Sequence, residues 1–364
     1  MAYNRKQRLN DNIKAIETAF ILDREQRTPT ARERLLLERY CGFGGLKCIL
    51  NPARELADAV HWAKSDLELF APTVELHRLI RENSKNESEY KQLMDSLKQS
   101  VLTAFYTPSA ITEALADVLK EHQIIPEKVL EPSAGIGAFV DSVLDNNPKA
   151  DIMAFEKDLL TGKILRHLYP ELKVRIEGFE KIEKPFNDYF DLAISNIPFG
   201  DVAVFDPSYT AMKGMRALVT RRIHNYFFVK ALDTVRDGGL VAFITSQGVL
   251  NAKNNSAARF MMLYHADLVS AIRLPNNLFT ENANTEVGSD LIILQKNTQK
   301  ESLRGDDNLL DTVYNDENRI PTNNYFLEHP ERIIHTTAKL DTDPFGKPAM
   351  IYTHEDGVEG IAED

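Results

Sequence analysis

The sequence predicts an α/β fold: a doubly wound sheet of seven mostly parallel strands with an N-terminal helical region. Three observations carry that expectation. Residues 1–100 show helical spacing and no strand-like run, short β-rich runs follow between 101 and 297, and helical segments separate most of those runs. Strand–helix alternation of this kind implies parallel strands joined by right-handed crossovers. The 364 residues divide accordingly into a helical region 1–100, an α/β domain 101–297 and a polar extension 298–364.

In the helical region, Thr30-Ala31-Arg32-Glu33 has the form of a capping box and leads into Leu35, Leu36, Leu37 and Tyr40. The glycines Gly42, Gly44 and Gly45 are expected to stop that helix. A second helical stretch over 52–83 holds the lone Trp62, expected in the core, and a polar stretch, SKNESEYKQLMDSLKQS, follows. The strand runs are 128–132, 151–156, 173–177, 190–195, 240–245, 268–274 and 290–295. Several are near-continuous apolar runs, as strands buried on both faces require. Helices are expected over 136–144, 159–168, 223–235 and 257–264. No helical pattern separates the last two strands, which predicts an antiparallel strand at the sheet edge. After Lys296 the chain is polar and strand-poor, the texture of a linker or a partly ordered tail.

Bulk properties exclude several classes. A hydrophobic share of 43% and a charged share of 27% fit a globular protein in water. No apolar run is long enough to span a bilayer and the start, MAYNRKQRLN, lacks a signal-peptide core, so a cytoplasmic protein with no membrane partner is expected. Cys41 and Cys48, both in CGFGGLKC, are too few for a disulfide framework or a four-ligand zinc site; free thiols and no metal are expected. A net charge of −11 argues against a protein coated in nucleic acid. Yet 207–232 contains no Asp or Glu while holding Lys213, Arg216, Arg221, Arg222 and Lys230. That island reads equally as a solvated helix face or as a local nucleic-acid contact.

The first strand ends in Glu131-Pro132-Ser133-Ala134-Gly135-Ile136-Gly137-Ala138-Phe139. Glycines at a strand-to-helix turn let backbone approach a ligand at the carboxyl end of the sheet. The spacing is not G-x-G-x-x-G, and alone it is equally a tight turn without a ligand. The second strand ends in Phe155-Glu156-Lys157-Asp158. An acid there, about twenty residues past the glycines, suits ribose hydroxyls. Glu156 holds the strand end and Asp158 is the substitute, though either could cap a helix instead. The fourth strand runs into Asn196-Ile197-Pro198-Phe199-Gly200, where an amide and an aromatic face suit the amino group of a flat ring. A structural turn with Phe199 in the core is the other reading. Ahead of the first strand, Phe105-Tyr106-Thr107-Pro108 places Thr107 to cap a helix with Pro108 at its first position.

These sites, in this order, resemble the amino-group DNA methyltransferases, typified by type I modification subunits and related adenine enzymes. The resemblance implies a Rossmann-like methyltransferase sheet and the donor S-adenosylmethionine. Phe105, Tyr106, Thr107 and Pro108 would wall the donor pocket. The loop through Glu131, Pro132, Ser133, Ala134, Gly135, Gly137 and Phe139 would hold the donor, with Glu156 and Lys157 beside it. Phe179 and Glu180 stand where family members contact the donor's adenine. Asn196, Ile197, Pro198 and Phe199 match the (N/D)-P-P-(Y/F) catalytic motif, with Asn196 also at the donor pocket. Ile197 departs from the first proline, at a position that contributes its backbone carbonyl.

The implied activity is site-specific methylation of N6 of a flipped adenine in double-stranded DNA, as in restriction–modification. Lys213, Arg216, Arg221, Arg222 and His224 are the candidate DNA contacts. CGFGGL, SNIPFGD, IHNYFFVKALDTVRDGGLVAFITS, AIRLPNNLF, TEVGSDLIILQK and YFLEHPE further resemble the N-terminal part of very large methylase–helicase proteins of conjugative elements and phages. The chain would then be a fragment or a stand-alone relative, with a helicase or specificity region absent. No G-x-x-x-x-G-K-[ST] motif occurs, so no ATPase activity is expected. C5-cytosine chemistry needs a nucleophilic cysteine, and both cysteines lie outside the catalytic turn. Two alternatives stay open: a protein-glutamine or RNA methyltransferase with an Asn-Pro-Pro-type turn, and a non-catalytic donor- or DNA-binding module.

Overall fold

The computed structural model describes residues 4–364 apart from 104, 213, 281–284, 304, 315–318 and 344–345. Seven strands form one sheet: β1 (Lys128–Glu131), β2 (Asp151–Phe155), β3 (Lys173–Arg175), β4 (Phe190–Asn196), β5 (Val235–Ser246), β6 (Ala266–Leu274) and β7 (Ser289–Lys296). Their spatial order is β3-β2-β1-β4-β5-β7-β6. All pairings are parallel except those of β7, which runs antiparallel to both β5 and β6. The antiparallel strand therefore lies inside the sheet, not at its edge. β6 reaches past the vacant position to the edge, and β7 folds back between it and β5, giving its apolar run (Leu291, Ile292 and Leu294 all buried) a partner on each side. β5 also begins five residues before the expected run, because Val235 already pairs with Phe190 across a bulge.

Two layers of helix cover the sheet. α1 (Arg5–Glu25), α2 (Ala31–Leu37), α3 (Phe70–Glu82) and α4 (Glu87–Thr103) make the N-terminal region, followed by α5 (Ser109–Glu121), α6 (Ala138–Asn146) and α7 (Leu159–Leu168). α8 (Ile223–Thr234) and α9 (Ser256–His265) lie against the opposite face. The core is correspondingly split. One cluster joins Leu9, Ile16 and Phe43 to Ile164, Leu165 and Ile244; the other holds Phe179, Tyr226, Phe228 and Phe243.

The capping box at Thr30 forms as expected, with Thr30 and Glu33 bonding each other's backbone. The helix it starts ends at Leu37, before the glycines. Asn12 takes hold of the chain there, accepting from Cys41 N at 2.9 Å and donating to the Gly42 carbonyl at 2.6 Å, while Tyr40 turns into the core. The stretch 52–83 is helical only from Phe70; before that it is two 3-10 turns, Leu56–His61 and Lys64–Leu69. Asp58 closes the first by accepting the Arg54 and Glu55 N–H groups. Trp62 is buried edge-on to Phe70.

The N-terminal helices dock on α7. Arg34 donates to the Leu168 carbonyl at 2.7 Å, and Asp23 gathers Lys163, Arg166 and His167. Beyond β7 the chain is neither linker nor loose tail. It forms two small hairpins, β8 (Thr312–Tyr314) with β9 (Pro321–Asn323) and β10 (Thr337–Thr342) with β11 (Pro348–Thr353). Its few apolar residues are spent on packing: Leu309, Phe326 and Ile361 are buried. Arg259 is also buried, and its guanidinium donates to the carbonyls of Val249, Ala252 and Leu310. Among the described residues no helix is long and apolar enough to cross a membrane.

Candidate active site

β1 and β4 are neighbours, with Leu130 opposite Ala193, so the turns leaving Glu131 and Asn196 emerge side by side. This is where the strand order reverses, the crevice in which open α/β sheets take their ligands. Gly135 and Gly137 have φ of +57° and +94°, a region that side chains rarely adopt. Space also demands glycine: a Cβ on Gly135 would stand 2.8 Å from the Tyr106 ring, and one on Gly137 would collide with Tyr169.

Glu156 reaches this turn, accepting from Gly135 N at 2.8 Å and from Asp158 N at 2.6 Å. Asp158 does something else. It caps α7 through Thr161 N and takes the Ser96 hydroxyl at 2.8 Å, so the strand-end acid facing the glycines is Glu156 alone. Glu131 is buried, and burial pushes its carboxyl up to about 8. Among the described residues its Oε2 has no partner, and neither has the buried Thr107 Oγ1. Thr107 is no helix cap. Pro108 takes the N-cap position of α5 with extended backbone, leaving Thr107 one residue too early to reach the first turn. Two orphaned polar atoms beside a glycine turn fit a ligand carrying both donors and acceptors.

The remaining donor-site candidates divide. Pro132 is buried, Ser133 half-buried, and Ala134 is buried in the turn. Phe139 and Phe179 are core residues, Phe179 packing against Phe155, Tyr226 and Phe227. Glu180 is half-buried with the exposed Lys157 3.8 Å away.

At the second turn, the Asn196 side-chain Nδ2 donates to the Phe105 carbonyl at 2.8 Å. That bond fixes the amide and leaves Oδ1 as its acceptor end. Ile197 buries its side chain and donates its N–H to the Ile244 carbonyl at 3.0 Å; among the described residues no hydrogen bond reaches its own carbonyl. Phe199 is half-buried, edge-on to Phe279 with centroids 6.2 Å apart. Tyr169 did not stand out in the sequence, and Phe279 entered only as the end of AIRLPNNLF, because an apolar residue carries no sign of its partner.

Three cations of the basic island, Arg216, Arg222 and Lys230, are neutralised in space. Arg216 forms a two-pronged pair with Asp233 at 2.6 and 2.9 Å, and Lys230 meets Asp206 at 3.3 Å in the interior. Arg222 bonds Asp201 at 2.8 Å and both Asn254 and Asn255. The acids absent from 207–232 thus sit just outside it and fold back. His224 is 3% exposed, and burial pushes its imidazole down to about 4, so it is an interior group and not a surface contact. Lys213 lies outside the described residues. Arg221 is exposed, with no ion pair among the described residues.

The model of the family described as N-6 DNA Methylase matches residues 88–351. "Defense against restriction protein B" of Escherichia phage P1 is 29% identical over 201 residues, 54% of this chain and 8% of that protein. "Type II methyltransferase M.XamI" of Xanthomonas campestris pv. amaranthicola is 25% identical over 173 residues, 44% of this chain and 33% of that protein. The chain therefore spans a minor part of the length of both. Among solved structures, the type I restriction-modification system methyltransferase subunit from Streptococcus thermophilus superposes with a TM-score of 0.44 at 16% identity, covering 67% of this chain and 57% of that one.

Proposed function

The chain belongs to the N-6 DNA methylase family, and on that premise we propose that it methylates N6 of an adenine flipped out of double-stranded DNA. Membership carries S-adenosylmethionine as donor and DNA methylation as the reaction. The finer reading, adenine held at the Asn196 turn, rests on one observation: the bond from Asn196 Nδ2 to the Phe105 carbonyl, which commits Oδ1 to accepting.

The bound donor supplies an electrophilic methyl on a sulfonium. The adenine amino nitrogen is a weak nucleophile because its lone pair is delocalised into the ring. Two acceptors, Asn196 Oδ1 and the Ile197 carbonyl, accept hydrogen bonds from its two N–H groups and favour a tetrahedral nitrogen with a localised lone pair. Phe199 stacks on the extruded base. On the donor side, Glu156 accepts from ribose hydroxyls, while Thr107 and Glu131 meet the polar groups of the methionine part. Phe105, Tyr106 and Pro108 wall that pocket. Glu180 and Lys157 lie at its adenine end. Arg221 takes a DNA phosphate. The catalytic unit in this proposal is 101–297, with a helicase or further sequence specificity supplied by a region outside this chain.

Incubation of plasmid DNA with methyl-labelled donor, followed by digestion to nucleosides, tests it. Label in N6-methyladenine is expected. Label confined to protein or RNA, or to cytosine, overturns the reading.

A further inference from the structure

A cavity of about 410 Å³ opens where the chain leaves the Asn196–Gly200 turn. Asp201, the residue after Gly200, forms part of its wall together with Leu218, Arg221, Asn225, Asn254 and Ala257. Its volume lies within the range of small-molecule sites. What sets it apart from a surface dent is one lining amide. Asn225 is 4% exposed and lines the cavity, yet its Oδ1 has no hydrogen-bond partner among the described residues.

The orientation of that amide follows from its neighbours. The Gly248 carbonyl takes Asn255 Nδ2 at 2.7 Å, so Asn255 Oδ1 must face the other way. There it accepts from Arg222 Nη1 at 2.6 Å and from Asn225 Nδ2 at 2.9 Å. Asn225 Oδ1 is what remains, a buried acceptor whose desolvation nothing within the chain offsets. Arg222 is already neutralised by Asp201, and Arg221 stands exposed among the lining residues. The cavity so combines a lining amide with a buried, unpartnered acceptor, apolar walls at Leu218 and Ala257, and a cation. A buried acceptor does not suit a bare anion. It suits a flat ring with an N–H or amino donor, joined to a phosphate.

We propose that this cavity is a second nucleotide subsite, which takes the base of a DNA nucleotide neighbouring the target adenine at Asn225 Oδ1 and its phosphate at Arg221. The inference rests on the adenine-methylation reading of the adjoining turn. It gives the chain a sequence-reading element of its own, in a segment where linear sequence showed only basic charge.

The test uses the full chain, with duplexes of randomised sequence as substrate, the methylated adenines and the bases beside them being read by sequencing. Ala257→Leu fills the cavity from an open helix position and leaves the amide network untouched; Asn225→Ala removes the acceptor itself. Both variants are expected to raise KM for the duplex pool about ten-fold, as loss of a good base contact does, and to change the bases preferred beside the methylated adenine. Donor affinity by calorimetry and the melting temperature of Ala257→Leu should match wild type. If Asn225→Ala does not fold, Ala257→Leu decides alone. An Ala257→Leu enzyme with wild-type KM and wild-type sequence context overturns the subsite while leaving the methylation reading intact. A wild-type chain that neither binds nor methylates the duplexes overturns both.

Discussion

At the scale of single residues, Asn196 and Glu131 make different and separable claims. Asn196→Ala removes the acceptor oxygen and, with Nδ2, the bond to the Phe105 carbonyl, but no hydrogen bond to the glycine turn itself. Turnover should fall about a hundred-fold or more, the usual loss when one key transition-state hydrogen bond goes, while donor affinity stays within a few-fold. Near wild-type methylation by this variant would refute the mechanism. Glu131 predicts a pH effect. Burial raises its carboxyl from the ordinary 4.5 to about 8, so the folded chain keeps a proton that the unfolded chain has lost across that window. The folded state then binds more protons than the unfolded, and stability must fall as pH rises from about 5 to 8. Glu131→Gln has no proton to lose, and its melting temperature should vary less over the same range. Parallel curves for the two proteins would show that Glu131 ionises normally. Sequence identified both residues, since each ends a β-run; it could not say that Asn196 is held by the Phe105 carbonyl 91 positions away.

At the scale of elements, the glycine turn and the basic island answer to different measurements. Gly135→Asp introduces a Cβ 2.8 Å from the Tyr106 ring at a backbone angle side chains avoid. The turn must shift, so calorimetric donor binding should vanish while cooperative unfolding persists; unchanged affinity would take the turn out of the site. In the island, Arg221→Ala should flatten the log–log salt dependence of DNA binding by about one unit, the share of one phosphate contact. Arg222→Ala should instead lower the melting temperature, because its guanidinium bonds Asp201, Asn254 and Asn255. An unaltered salt slope in Arg221→Ala would return the segment to a solvated face. The elements themselves were legible. Each strand of the large sheet overlaps a run expected from the sequence, and β1, β2, β4 and β7 sit on apolar runs because a strand covered on both faces needs one, whereas the edge strand β3 is Lys-Val-Arg with no buried residue. The place of β7 was not, because periodicity marks a strand's length and faces and is silent about its neighbours.

At the scale of the whole molecule, the residues after β7 are structural. Ending the chain at Asn297 would remove the Leu310 carbonyl from the buried Arg259, the Asn323 side chain from the Leu250 carbonyl, and Phe326 from beneath Arg273. Arg259 would keep the Val249 and Ala252 carbonyls, but a buried charged donor left with unmade hydrogen bonds costs about 3 kcal/mol. At about 3 °C per kcal/mol the truncated chain should melt about 10 °C lower or fail to fold cooperatively. A truncated chain that melts with the intact one would make the extension the loose tail its composition resembles.

Sequence alone therefore determined what depends on neighbours along the chain: the succession of strands and helices, the glycine turn, the Asn196 turn and the acid after β2. Each is written in contiguous residues, since strand burial, left-handed backbone and turn chemistry are local demands. Tertiary structure decided what depends on neighbours in space. It set Asp158 to capping α7, placed β7 inside the sheet, folded an unpromising tail onto Arg259, and paired most of a stretch without acids with carboxylates outside it. Charge along a sequence is not charge on a surface, because Coulomb attraction falls with distance through space. Arg216 and Asp233, 17 positions apart, meet only once the chain has folded.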